Sequence, residues 1–141
     1  MKAWVLIAMC TMLLTAATAT YASDDVTSER DRGIANAAMM VTYGTTFLVQ
    51  MYDAHTTIRA IGEGAREVNP LLTPFSSEPP AIFALGLARA TVIDLALRSL
   101  AHRNKWAAVA TGAAINSAYL MVAVHNNRVT NVMRAQQAAS R

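Results

Sequence analysis

Residues 107–124 read AAVATGAAINSAYLMVAV, eighteen positions without a charge, and this run limits what the chain can become more than any other feature. A helix needs about 20 apolar residues to cross a bilayer, and a stretch apolar on every side must be wrapped by lipid or buried deep in protein. Two more stretches are long enough, from about Ile34 to Ile61 and from about Pro80 to Leu100, while the third extends from about Trp106 to His125. Short polar joints separate them. Ser76, Ser77 and Glu78 ahead of Pro79 and Pro80 suit a helix start with proline in its first turn, and Gly62 and Gly64 mark a helix stop. The joint AHRNK runs into Trp106, basic residues beside an aromatic anchor, as at a membrane interface.

Composition agrees with helices. Apolar residues make up 54% of the chain and charged ones 15%, against a usual charged share of about 25%. Ala fills 28 of 141 positions and aromatics only 6%, a set of small helix-favouring side chains that sets aside an all-β fold. The expected class is all-α: a three-helix transmembrane bundle preceded by a signal peptide or an uncleaved fourth apolar helix. Ten Arg and two Lys against nine acids are scattered over the joints and form no basic stripe, so no nucleic-acid partner is expected. Cys10 is the single cysteine, which excludes an internal disulfide and a thiolate metal site.

Residues 1–22 have the layout of a secretory signal: Lys2, an uncharged apolar stretch, then small residues. Cleavage near residue 19 or 22 is preferred over retention as an anchor. The expected organisation is then a polar extracytoplasmic segment over 23–33, a membrane domain over 34–126 and a polar tail over 127–141. Counting Lys and Arg gives five on each side and decides nothing. The signal decides instead, placing the protein in the inner (cytoplasmic) membrane as a multi-pass chain with its C-terminal tail in the cytoplasm. A secreted soluble helical bundle is the competing reading, because Asp53, Arg89, Asp94 and Arg98 lie inside apolar stretches.

In the first stretch Asn36, Tyr43, Gln50 and Thr57 fall seven apart, with Thr46 and Asp53 interleaved, which is one polar stripe down a helix. In water such a stripe would face solvent, whereas in a bilayer it must face other helices or a wet cavity. Asp53 lies eight residues before Ile61, and Arg89 lies nine after Pro80. At 1.5 Å per residue both sit roughly 12–14 Å from one interface, so an antiparallel hairpin would pair them. Glu67 is the competing acid. Asp94 and Arg98 stand one turn apart and can pair locally, and Asn116 sits near the middle of the third stretch, placed to bond a facing helix.

The segment DAHTTIRAIGEGAREVNPLL, from Asp53 to Leu72, resembles the signature of a family of small prokaryotic integral-membrane proteins, domain of unknown function 5658. The similarity takes in Arg89, then Asn116, Tyr119 and the His125-Asn126 pair, and covers about Tyr43 to Arg128. It departs in its Arg at a place where Lys is more usual and in the longer GEGARE stretch. The resemblance implies an integral-membrane helical fold with no established activity, and lends weight to Asp53, Thr57, Glu67, Asn69, Pro70 and Arg89 as a polar cluster. Physically, Pro70 holds Asn69 out of the helical region, so Asn69 and Glu67 can satisfy open backbone groups as a clamp. The alternative is a pocket able to hold an ion or small anion.

Catalysis finds little support. Ser76, Ser77, Ser99 and Ser117 occupy no nucleophile turn, and His55 and Asp53, two apart on a helix, point about 200° away from each other. No cofactor and no metal site are expected, and an enzyme is the less favoured class, with a membrane-embedded hydrolase as its form. The leading expectation is a structural or accessory membrane protein whose partners are the lipid bilayer and a homo-oligomer or larger complex. An ion or small-solute channel subunit using Asp53 and Arg89 is the alternative.

Overall fold

The computed structural model describes residues 29–67 and 72–140. They form three helices: α1, Glu29–Gly62; α2, Pro79–Ala101; and α3, Lys105–Ala139, with a single 3-10 turn at Thr73–Phe75. The all-α class is what composition led one to expect, and no strand occurs among the described residues. The proposed signal segment, residues 1–22, lies outside them, as do Asn69 and Pro70.

Local chemistry explains the ends. Gly64, at φ 92°, takes the left-handed conformation that terminates α1. Its N–H donates to the Ile61 carbonyl at 2.9 Å and that of Ala65 to Ala60 at 3.0 Å, the paired bonds of a Schellman stop. Pro79 and Pro80 open α2, where their missing N–H groups cost nothing. Asn104 caps α3: its Oδ1 accepts the Ala107 N–H at 3.0 Å.

Two helices differ from their expected lengths. α1 begins at Glu29, with Glu29 and Asp31 favourably placed at its positive end. α3 continues to Ala139 through the segment expected to be a tail, because residues after His125 include no Gly or Pro to stop it. All three helices are long enough to cross a bilayer, but α2 and α3 alone among the described helices are also apolar enough. Among the polar residues of α1, Thr42, Thr46, Gln50, Asp53, Thr56 and Thr57 are buried.

The described residues divide into two compact units. One contains 29–46 and 92–118, and the other 47–67, 72–91 and 119–140. Each is a packing of parts of all three helices. In the first, Met39, Leu97 and Ala108 form a small core with Tyr43, Ile93, Leu100 and Val109 against it. Lys105 Nζ donates to Asn36 Oδ1 at 2.6 Å, so the starts of α1 and α3 lie side by side. In the second, Thr57 meets Asn126 and Glu63 meets Arg134, so α1 and α3 run parallel there.

At Gly112 the helices of the first unit pack too closely for a side chain. A Cβ there would collide with Thr42 Cγ2 and lie 3.1 Å from Leu97 Cδ1. Thr42 cannot turn aside freely, because its hydroxyl donates to the Ala38 carbonyl at 2.8 Å. Gly112→Ala should therefore destabilise the protein by about 1–3 kcal/mol in unfolding titrations, despite the better helix propensity of Ala. Gly44→Ala, with open space around it, should be neutral or stabilising.

Candidate functional site

The second unit contains the buried charges. Gly86 lets the α2 backbone close on α1: a Cβ there would lie 3.2 Å from Ala54 Cβ and 3.3 Å from the Gln50 carbonyl. Three residues on, Arg89 reaches Asp53, with Nη2 donating to Oδ2 at 2.8 Å. The Asp53 side chain is 4% exposed and that of Arg89 23%. On its other side the Arg89 guanidinium carbon sits 5.2 Å from the centroid of the Tyr119 ring, a cation–π contact. One guanidinium thus joins α2 to both neighbours.

This cluster is incompletely bonded. Asp53 Oδ1, Arg89 Nε and both amide atoms of Gln50 are buried and make no hydrogen bond among the described residues. Gln50 itself is 0% exposed. Farther along, Asn126 Nδ2 donates to Thr57 Oγ1 at 3.0 Å and Asn127 Nδ2 to Tyr52 Oη at 2.6 Å. Arg134 Nε pairs with Glu63 Oε1 at 2.6 Å.

The first unit repeats the motif on a smaller scale. Arg98 Nε pairs with Asp94 Oδ2 at 2.7 Å across one helical turn, and its guanidinium carbon lies 4.8 Å over the Tyr43 ring. Asn116 belongs to this unit, buried, with Oδ1 making no hydrogen bond among the described residues.

Of the residues singled out in the sequence, Asp53 and Arg89 therefore meet as the depth argument requires. Thr57 is buried one turn from Asp53 and is held by Asn126. Glu67 is half-buried and within electrostatic reach of Asp53. Asn116 sits with the other unit. Gln50 was visible only as one member of a stripe, and Tyr119 and Asn126 only through the family resemblance. The polar stripe of α1 turns inward at Thr46, Gln50, Asp53 and Thr57, while Asn36 is exposed and Tyr43 half-buried.

Chemically, the paired charges cancel, which suits a low-dielectric setting, and donors and acceptors are left over beside them. Among the described residues no group of three or more His, Cys, Asp or Glu is placed to hold a metal ion. The chain matches no protein-family model, no curated protein and no solved structure.

Removing one charge leaves the other buried and unpaired. Arg89→Met alone should cost about 3–5 kcal/mol, read as lost accumulation or a lowered unfolding midpoint. The double variant Asp53→Leu with Arg89→Met should recover most of that loss. A double variant as unstable as the single would show that the pair is not the relevant interaction.

Proposed function

We propose that the chain is a small multi-pass membrane protein, crossing the inner membrane three times, that acts as a structural or accessory subunit. One observation carries this reading: polar side chains of α1 are buried while large apolar side chains stand exposed on α1 and α2. Gln50, Asp53, Thr46 and Thr56 are each at most 3% exposed, whereas Met40 is 75% exposed, Val41 69%, Leu48 67%, Val92 66% and Leu95 60%. A water-soluble protein rarely presents large apolar residues on the outer faces of helices whose polar groups it hides, whereas a bilayer rewards that arrangement.

The hydroxyls fit the same setting. Thr42, Thr46, Thr56, Thr91, Ser117 and Thr130 each donate to a carbonyl three or four residues earlier, so none depends on water for its proton. The length and hydropathy of α2 and α3 support the reading as well. An accessory role asks no more than this of the sequence. In the orientation we favour, the turn between α2 and α3 faces outward and the C-terminal end of α3 lies in the cytoplasm.

Three measurements test it. Carbonate washing of membranes should leave the protein in the pellet, and release would favour the secreted bundle. Val92→Arg should reduce membrane accumulation, since Arg at the centre of a spanning helix costs about 2.5–3.5 kcal/mol by insertion scales. On a soluble surface the same change would be nearly neutral. Mass measurement in detergent separates roles: a stoichiometric larger partner supports the accessory one, and a homo-oligomer without one favours the channel alternative.

A further inference from the structure

We infer that Gln50, Asp53 and Arg89 form a binding site for internal water. Gln50 and Asp53 lie one turn apart on the same face of α1, and Arg89 reaches that face from α2. Four of their atoms are buried without a hydrogen bond among the described residues: Gln50 Oε1 and Asp53 Oδ1, which accept, and Gln50 Nε2 and Arg89 Nε, which donate. The occupant must therefore offer both donors and acceptors.

Charge narrows the choice. A cation would satisfy the two acceptors but meet the Arg89 guanidinium, and an anion would satisfy the donors but meet the Asp53 carboxylate. A neutral molecule that both gives and takes hydrogen bonds fits without either repulsion. The close approach of α2 to α1 one turn before Arg89, where a Cβ on Gly86 would lie 3.2 Å from Ala54 Cβ and the Met51 methyl and 3.3 Å from the Gln50 backbone carbonyl, favours a small guest. Water is the smallest molecule with the required chemistry, and buried waters typically make about three bonds to polar groups that would otherwise have none. The water bridges Gln50 to the free edge of the ion pair and holds the guanidinium against Tyr119.

This inference does not depend on the membrane reading, since the same atoms are buried in either solvent. The test is water-edited solid-state NMR on the full chain in bilayers, following transfer of water magnetisation to the Gln50 Nε2 and Arg89 Nε protons. Both signals should build up several-fold faster than the amide of Leu97, a dry core position, and approach the rate of the exposed Ser77 amide. Build-up as slow as Leu97 at both atoms would overturn the proposal. In Gln50→Leu the fast transfer to Arg89 Nε should be lost, and its persistence unchanged would remove Gln50 from the site. Should carbonate washing release the protein, the experiment runs unchanged on the sedimented soluble chain, so the two readings fail separately.

Discussion

The Asp53–Arg89 pair is the constraint around which the second unit is arranged. Two opposite charges out of water are tolerable only at close range with good geometry, and the 2.8 Å contact requires α2 to approach α1 closely. Gly86 permits that approach by having no side chain. The guanidinium then needs something on its far side, and the Tyr119 ring of α3 supplies an apolar face with a negative quadrupole. Interactions in all three helices thus follow from one carboxylate on α1.

That carboxylate sits in a helix whose other buried polar residues are mostly threonines. A threonine can bond its own helix, and Thr42, Thr46 and Thr56 do so, which makes a polar inner face cheap to bury without matching partners. Gln50 and Asp53 cannot be satisfied in that way. They are therefore where interactions between elements, or with a small guest, have to be made.

Much of this was legible in the chain. Three apolar stretches with polar joints gave the helices, and counting residues from each interface levelled Asp53 with Arg89, because rise per residue is constant in an α-helix. Glycines gave the C-terminal end of α1 and prolines the start of α2, whereas the start of α1 at Glu29 lies before the expected Ile34. The continuation of α3 was harder to see, since polar residues after His125 look alike in a solvated helix and in a tail; the Arg134–Glu63 contact that ties them to α1 is formed across 71 positions. Tyr119 beside Arg89 and the unbonded amide of Gln50 depend on side-chain directions between helices, which spacing along one helix does not encode. The expectation for Asn69 and Pro70 concerns residues outside those described.

The separation of Asp53 from its partner along the chain has a consequence for synthesis. α1 carries the buried acid and is the least apolar of the three helices, while the balancing Arg89 emerges 36 residues later. In a bilayer, α1 entering alone would bring an unneutralised carboxylate into hydrocarbon. Entering with α2 as a hairpin, it would arrive with its charge already cancelled. On the membrane reading, the stretch between Gly62 and Pro79 is then more than a connection: its length sets how soon after α1 the counter-charge can arrive, and so whether insertion proceeds by single helices or by pairs.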